Sequence, residues 1–431
     1  MELRLPYGET ELVVDLPEDR TTVVQPVDAP GAADPAGLLR EALESPVAGP
    51  RLRDLVSPGQ TVAIAVCDAT RAQPRDLMVP AVLEELDGIV DAGDVVILVA
   101  TGTHRGNTEQ ELRRMLGNDV VDHVRVVNHD ARDDASLVWL GRHGNDVPVW
   151  LNRLWTEADV RVTTGFVEPH FFAGFSGGPK LAVPGLAGLE TVLTLHDAAR
   201  IGHPSATWGV CEGNPVHDDI RAVVAAVAGV TFALDVTLNR RQQVVDAFAG
   251  EVFAMHSAAR AAARRLAMRP VPDRFEIVVT TNSGYPLDQN LYQAVKGMSA
   301  ASLVVKDAGT IVCAAECRDG FPNHGSFRDL LVSADSPRAL LDDIEARSVT
   351  KPDQWQVQLQ AKVQCRARVV MHTSYLSDEA LAGAHLEQTA DIGSTVRELL
   401  ATSGSEARVC VLVDGPQTIP YVGADAVTGS H

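Results

Sequence analysis

The sequence predicts an α/β protein whose sheets are built mainly from parallel strands. Continuous apolar runs at residues 61–66, 95–99 and 159–164 have the composition of strands that are buried on both faces. The first two runs are each followed by a polar loop and a helix-like stretch, which is the pattern of βαβ units. Aromatic residues make up only 5% of the chain, which fits aliphatic strands and Ala/Leu-rich helices.

The other elements follow from periodicity and from turn residues. Residues 1–17 alternate between apolar and polar side chains, which predicts an antiparallel ribbon. A third strand is predicted at 124–128. Helices are predicted at 38–43, 77–90, 108–116, 218–227 and 251–268.

A second α/β pattern begins after a proline-rich linker at residues 269–273. Its apolar strand-like runs lie at 275–280, 310–314, 367–371 and 407–413. We therefore expect an N-terminal α/β domain over residues 1–270 and a C-terminal α/β domain over 275–405. Residues 406–431 are expected to form a last strand and a tail that packs back on the N-terminal domain.

The composition excludes several classes of protein. A net charge of −20 and a pI near 5.0 argue against a nucleic-acid partner, which requires a basic surface. The chain starts without the basic-then-apolar pattern of a signal peptide, and no apolar run approaches the ~20 residues of a membrane span. Six cysteines in 431 residues do not make a disulfide framework. We expect a cytoplasmic protein with no membrane partner, in which locally placed cations hold any anionic ligand.

The segment 165–196 holds the most chemistry in the chain. It contains two histidines, Lys180 and closely spaced glycines and prolines, which break helices and strands. A shaped loop with a following helix is expected, with Lys180 projecting beside the ligand that the glycines approach. The segment is not a phosphate-binding P-loop, because Pro179 replaces the last glycine and Leu181 replaces the hydroxyl residue.

Polar residues recur where the predicted strands end. Asp68 and Arg71 follow the first buried strand, His104 follows the second, and His170 follows the strand at 159–164. Ligands of parallel α/β sheets bind at the carboxyl ends of the strands. The sequence therefore predicts a single pocket that contains these side chains.

These motifs together resemble the nickel-dependent lactate racemase family of 2-hydroxyacid racemases and epimerases. The resemblance covers nearly the whole chain and is carried by its sequence motifs, which are D-A-T-R, T-G-T-H-R, P-H followed by G-F-S-G-G-P-K-L, and Y-P-L-D followed by L-Y-Q-A-V-K. It implies two α/β domains with the active site in the cleft between them.

The resemblance also implies a cofactor, a pyridinium mononucleotide that grips nickel through sulfur, carbon and sulfur. Lys180 matches the lysine to which founding members tether this nickel-pincer nucleotide, and His196 matches the nickel ligand. The loop formed by Asp68, Ala69, Thr70 and Arg71 matches the part of the family site that holds the cofactor. Separate biosynthetic proteins would have to make this cofactor.

The implied reaction interconverts the enantiomers of a 2-hydroxy acid. His104 and His170 match the acid/base pair that moves the hydroxyl proton, while the α-hydrogen leaves as hydride and a planar 2-keto acid forms. Imidazole suits this work because its pKa lies near neutrality. The residues that match substrate contacts are Arg71, Tyr292, Gln293 and Lys296, with Trp355 either as an aromatic wall of the site or as a packing residue.

Three interpretations remain open from the residues alone. The first is a racemase for lactate, for larger or dicarboxylic hydroxy acids, or for sugar acids, with lactate as the default substrate. The second is a zinc hydrolase with a three-histidine site formed by His104, His170 and His196, although such an enzyme has no evident use for Lys180. The third is a non-catalytic carrier of the cofactor, which would not need both His104 and His170.

Overall fold

The structure is a computed structural model that describes residues 1–322 and 325–423. Residues 424–431, the end of the predicted tail, lie outside the described part of the chain. The described residues divide into two compact units. The N-terminal unit comprises Val27–His196 and Val210–Leu266, and the C-terminal unit comprises Met1–Pro26, Asp197–Gly209 and the chain from Ala267 onward.

The secondary structure alternates strands and helices through most of the chain. The strands are β1 (Glu2–Tyr7), β2 (Thr10–Asp15), β3 (Thr21–Val24), β4 (Val62–Cys67), β5 (Val95–Ala100), β6 (Arg125–Asn128), β7 (Leu137–His143), β8 (Val147–Asn152), β9 (Val160–Phe166), β10 (Pro169–His170), β11 (Gly174–Phe175), β12 (Phe232–Leu238), β13 (Val244–Gly250), β14 (Met268–Val271), β15 (Phe275–Thr281), β16 (Val305–Ala314), β17 (Arg368–His372), β18 (Glu387–Gln388), β19 (Val409–Leu412) and β20 (Ile419–Val422). The helices are α1 (Pro35–Glu44), α2 (Arg75–Leu86), α3 (Glu109–Leu116), α4 (Asn118–His123), α5 (Arg153–Glu157), α6 (Leu189–Leu195), α7 (Ala198–Gly202), α8 (Pro215–Val223), α9 (Val252–Ala267), α10 (Leu291–Ser302), α11 (Phe327–Leu331), α12 (Pro337–Ala346), α13 (Gln354–Arg366), α14 (Asp378–Gly383) and α15 (Ile392–Thr402).

The N-terminal unit is organised around a sheet with the strand order β13-β12-β9-β4-β5-β6. Its neighbouring strands are parallel except at the edge, where β13 pairs antiparallel with β12. Val62, Ile64 and Val66 of β4 are fully buried in a core that also takes in side chains of α1 and α2. Each such aliphatic side chain contributes about 1.5–3 kcal/mol on burial, so the predicted strand at 61–66 lies at the centre of the unit.

The C-terminal unit has its own parallel sheet, with the order β18-β17-β16-β15-β19-β3. Its core includes Ile277, Val279, Val312 and Val411 on the central strands. The ribbon predicted at residues 1–17 is present as β1 paired antiparallel with β2. The predicted class of two α/β units with mainly parallel sheets is thus confirmed. No helix in the described ranges is long and apolar enough to cross a membrane.

The boundaries differ from the expected division at 1–270, 275–405 and 406–431. Residues 1–26 and 197–209 group with the C-terminal unit, because β3 pairs in parallel with β19. The expected packing of residues 406–431 on the N-terminal domain is also wrong for the strand β19, which pairs with β15 at the centre of the C-terminal sheet. A strand with the apolar sequence Val-Cys-Val-Leu is stabilised by neighbours on both sides and by burial on both faces, and the C-terminal sheet supplies both.

Candidate active site

Three loops that carry the predicted site residues leave neighbouring strands of the N-terminal sheet. The strands β9, β4 and β5 are adjacent and parallel, so their carboxyl ends lie at the same edge. The loop after β4 carries Asp68 and Arg71, the loop after β5 carries His104, and the loop after β9 carries His170 and Lys180. The last two loops are also joined directly, since Gly102 N donates to Gly185 O at 3.0 Å. The topology therefore brings the loops together as the sequence predicted.

The loop Asp68–Arg71 is held from beneath by a buried arginine. The Arg75 guanidinium donates to the backbone carbonyls of Cys67 at 2.8 Å, Gln73 at 3.0 Å and Arg71 at 2.8 Å, and also to Asp68 O. Only 5% of Arg75 is exposed. A planar guanidinium can satisfy several carbonyls in a fixed geometry. Ala69, Thr70 and Arg71 are exposed above this support and remain accessible to a ligand.

Asp68 and His104 form a hydrogen-bonded pair across two of these loops. His104 Nδ1 lies 2.7 Å from Asp68 Oδ2, and the Asp68 side chain is 4% exposed while that of His104 is 45% exposed. Burial raises the pKa of Asp68, but the His104 hydrogen bond and the Arg71 charge outweigh it and hold the pKa well below its usual range. Asp68 is therefore an ionised acceptor, and neutral His104 carries its proton on Nδ1 and its lone pair on Nε2.

Phe172 brings the other predicted residues together. Its ring centroid lies 4.5 Å from that of His170 and 5.1 Å from that of His196. Lys180 Nζ lies 5.7 Å from the same centroid. Phe172 is 3% exposed, so it is a shared apolar wall behind the two imidazoles and the ammonium group.

His170 has the opposite ring polarity to His104. The backbone N–H groups of Phe172 and Ala173 point at His170 Nδ1, at 3.5 and 3.3 Å. Because Nδ1 accepts these N–H groups, the neutral ring carries its proton on Nε2. His170 is thus arranged to donate through Nε2, whereas His104 is arranged to accept through Nε2.

His196 is buried and neutral. Its Nδ1 donates to Val192 O at 2.7 Å, which places the lone pair of the neutral ring on Nε2. Burial is the main cause that lowers the pKa of His196 to about 4, and the Lys180 charge lowers it further. A neutral imidazole whose other nitrogen donates to a backbone carbonyl is the usual form of a metal-binding histidine.

The glycines before Lys180 pack against protein. A Cβ on Gly177 would lie 2.6 Å from Asp235 Oδ2, and one on Gly178 would lie 2.5 Å from the His256 ring. Both glycines also have positive φ angles, of 76° and 52°. The expectation that these glycines let a ligand approach the backbone is wrong at these two positions, because their free space is taken up by Asp235 and His256.

The predicted residues of the C-terminal unit lie on two of its helices. Tyr292, Gln293 and Lys296 are half-buried on α10. The Trp355 indole, on α13, donates from Nε1 to Tyr292 Oη at 3.1 Å and is 7% exposed. Trp355 is therefore packed against Tyr292 within this unit.

The three-histidine zinc interpretation fails on geometry. Among residues 1–322 and 325–423, no group of three or more His, Cys, Asp or Glu side chains is placed to hold a metal ion. His104 is paired with Asp68 instead, while the rings of His170 and His196 both contact the Phe172 ring. The sequence did not indicate the residues that support the site from beneath. These residues are Gln73, Arg75, Asp235 and His256.

The chain is similar to known proteins over nearly its whole length. The chain matches the family model of the lactate racemase N-terminal domain over residues 7–209 and that of the C-terminal domain over residues 272–419. It is 34% identical over 422 residues to a lactate racemase of Thermoanaerobacterium thermosaccharolyticum, covering 97% of this chain and 98% of that protein. It is 32% identical over 420 residues to a lactate racemase of Lactiplantibacillus plantarum, covering 94% of this chain and 98% of that protein.

Solved structures show the same relationship. The lactate racemase apoprotein from T. thermosaccharolyticum superposes with a TM-score of 0.90 at 33% identity, covering 97% of this chain and all of that one. A protein from Thermotoga maritima shares the fold with a TM-score of 0.67 at 17% identity, covering 90% of this chain and 98% of its own. The chain therefore belongs to the lactate racemase family and is an isomerase.

Proposed function

We propose that this chain racemises a short 2-hydroxy acid, with lactate as the default substrate. Two relatives that are lactate racemases share 32–34% of its residues over nearly their whole length, which supports this reaction. Larger, dicarboxylic and sugar-derived 2-hydroxy acids have the same reacting centre. They differ only in the substituent that the pocket must accept.

One observation carries the proposal: the two histidines have opposite ring polarities. A racemase must remove a hydroxyl proton and return it. His104 presents a proton-accepting Nε2, because its Nδ1 donates to Asp68. His170 presents an Nε2–H, because its Nδ1 accepts backbone N–H groups. One ring is therefore ready to take a proton from the substrate oxygen and the other to donate to it.

Asp68 supports the accepting role of His104. When His104 takes the hydroxyl proton it becomes an imidazolium, and the ionised Asp68 carboxylate 2.7 Å away stabilises that charge. Since the pKa of Asp68 is well below its usual range, the carboxylate does not remove the proton from the ring. His104 can then return the proton to the substrate oxygen.

The substrate carboxylate requires a cation in a protein of net charge −20. Arg71 is exposed on the loop after β4, and its guanidinium suits a bidentate carboxylate contact. The sequence resemblance also implies substrate contacts in the C-terminal unit. We propose that these contacts are made by Tyr292, Gln293, Lys296 and Trp355.

The residues present fit the nickel-pincer nucleotide that the family resemblance implies. Neutral His196 has the tautomer that binds a metal through Nε2, and imidazole suits nickel. Lys180 lies beside the same Phe172 ring, where its amine could hold the nucleotide. Asp68, Ala69, Thr70 and Arg71 would complete the cofactor contacts. When bound, this cofactor supplies a reversible hydride acceptor.

The proposal is tested by producing the chain together with cofactor-making proteins. Intact-protein mass spectrometry and nickel analysis are expected to show an adduct on Lys180 and about one nickel per chain. Chiral analysis is expected to show each lactate enantiomer converting to the other. Protein produced without those partners is expected to be folded and inactive.

Two variants and a matched control make the test specific. His104→Ala and His170→Ala are each expected to abolish interconversion while the nickel remains. His123 is an exposed histidine on α4 with an aspartate, Asp119, 3.3 Å away, so His123→Ala is the control and should retain full activity. Racemisation by cofactor-free, nickel-free protein, or bound zinc without an adduct, would contradict the proposal.

A further inference from the structure

Asp235 is a buried carboxylate beneath the glycine elbow, which we define as residues 174–180. It lies on β12 beside β9, where it is paired in register with Gly165. Only 1% of the residue is exposed. A carboxylate in such a position is costly unless its oxygens are hydrogen-bonded, so its partners indicate why it is there.

The principal partner is the backbone of the elbow itself. Gly178 N donates to Asp235 Oδ2 at 2.6 Å, two residues before Lys180. A Cβ on Gly177 would lie 2.6 Å from Oδ2, and one on Gly165 would lie 2.9 Å from Oδ1. The backbone thus closes around the carboxyl group at three glycines, and at Gly165 and Gly177 no larger residue would fit without displacing it.

A second contact holds the other side of the elbow. His256 on α9 donates from Nε2 to Ser176 O at 2.9 Å, and its ring fills the space that a Cβ on Gly178 would occupy. Asp235 and His256 therefore hold the two residues that flank Gly177. The backbone that leads into Lys180 is fixed between a strand and a helix.

Backbone amides stabilise the charged form of Asp235. Burial raises the pKa of Asp235 to about 7, against the opposing effect of the Gly178 and Gly165 amides. Titratable side chains on the neighbouring elements include Cys67 on β4, His256 on α9, Asp246 on β13 and Lys180 on the elbow. Burial holds the pKa of Cys67 at about 12 and that of His256 at about 3, so both are neutral near pH 7.

We propose that Asp235 is a positioning residue whose carboxyl group, by accepting the Gly178 N–H, fixes the elbow in the conformation from which Lys180 receives the cofactor. This inference rests on the proposed function for the role of Lys180. The carboxylate binds the amide more strongly than the protonated acid does, because a charged acceptor strengthens a hydrogen bond. Burial opposes ionisation more strongly than this hydrogen bond favours it, because the pKa of Asp235 is raised. The closed elbow is therefore firmest where Asp235 is protonated.

The first experiment measures backbone hydrogen exchange of the cofactor-free chain from pH 6 to 8.5, corrected for intrinsic exchange rates. In the wild type, protection of peptides covering residues 174–180 is expected to fall about tenfold across this range, because opening the elbow to water lowers the pKa of Asp235 and favours its ionisation. Asp235→Asn keeps the shape and cannot ionise, so its protection should not change with pH. Asp246→Asn on the neighbouring strand β13 is the control and should behave like the wild type.

The second experiment separates this inference from the proposed function. Asp235→Ala, which removes the acceptor of the Gly178 N–H, is expected to carry several-fold less adduct on Lys180 than either the wild type or Asp246→Asn when produced with the cofactor-making proteins. A wild type that carries no adduct would contradict the proposed function, while the exchange data would still decide the role of Asp235. Elbow protection that is constant with pH in the wild type would overturn the inference, even if Asp235→Asn failed to fold.

Discussion

His104 Nδ1 donates a hydrogen bond to Asp68 Oδ2 across 2.7 Å, and this contact joins the loops that follow two adjacent parallel strands. It makes Asp68 more than a contact for the cofactor, which is all that the sequence resemblance implied. The carboxylate orients the imidazole and selects the tautomer with the lone pair on Nε2. A buried anion beside a half-exposed imidazole is an arrangement for taking up a proton.

We expect Asp68→Asn to lower racemisation about 10²–10⁴-fold, because the neutral amide does not stabilise the imidazolium of His104. The rate should be measured by chiral analysis and divided by the amount of cofactor found on Lys180. Asp119→Asn removes the carboxylate beside the exposed His123 and serves as the control, with no change in rate. A variant of Asp68 that keeps more than a tenth of the activity per cofactor would exclude this role.

Arg75→Lys is expected to destabilise the N-terminal unit by about 2–4 kcal/mol. Lysine cannot reproduce the planar set of donors that binds four backbone carbonyls, and buried acceptors that lose a charged donor cost about 1–3 kcal/mol. Urea unfolding of the cofactor-free chain measures this loss. Arg113→Lys, at exposed ion pairs with Glu109 and Asp122, should cost less than about 1 kcal/mol. Equal losses of stability in the two variants would show that the planar donors of Arg75 do not stabilise the loop.

His196→Ala is expected to remove nickel, whereas His104→Ala and His170→Ala are expected to retain it. The difference arises because His196 is the neutral imidazole with a lone pair on Nε2, while His104 is committed to Asp68. Nickel analysis of the purified variants, combined with the mass of the Lys180 adduct, measures both properties. Loss of nickel from all three variants would mean that the two other histidines also hold the metal.

Much of the fold was predictable from the sequence, because buried parallel strands form unmistakable apolar runs. The strands at 62–67, 95–100 and 160–166 and the helix at 109–116 lie where the pattern placed them. The hairpin of β7 and β8 was not predicted, since β7 mixes apolar with polar residues and lies partly exposed, and β8 is a short strand that contains a proline. The pairing of β3 with β19 was hidden too, because nothing local specifies a partner nearly 390 residues away.

The site was predictable where a side chain does chemistry and hidden where it supports other residues. His104, His170, Lys180 and His196 stand in recognisable motifs. Arg75 follows the D-A-T-R motif by only four residues, but an arginine at the start of a helix is usually solvated. Asp235 lies in an apolar stretch almost sixty residues beyond the elbow. Only the sheet register, which pairs Asp235 with Gly165, reveals its role.

Acidification is expected to destabilise the cofactor-free chain through buried His217. Burial is the largest cause that lowers the pKa of His217 from 6.5 to about 4. The unfolded chain therefore takes up a proton below about pH 6.5 that the folded chain refuses until about pH 4, and stability is lost as the pH falls through this window. From pH 7 to pH 5, the wild type should lose about 2 kcal/mol more than His217→Gln in urea unfolding. The exposed control, His123→Gln, should follow the wild type, and parallel curves for all three proteins would exclude His217 as the cause.

Phe172→Leu is expected to lower racemisation per bound cofactor about tenfold or more while costing less than about 1.5 kcal/mol in stability. Leucine keeps most of the apolar volume but lacks the flat ring against which His170, His196 and Lys180 lie. Phe232→Leu, in the core on β12, is the matched control and should lose similar stability with no change in rate per cofactor. Chiral rates, Lys180 adduct and urea unfolding are measured on both variants. Equal rates per cofactor in the two variants would show that Phe172 only packs the core. A lower rate in Phe172→Leu alone would show that its ring aligns the groups around it.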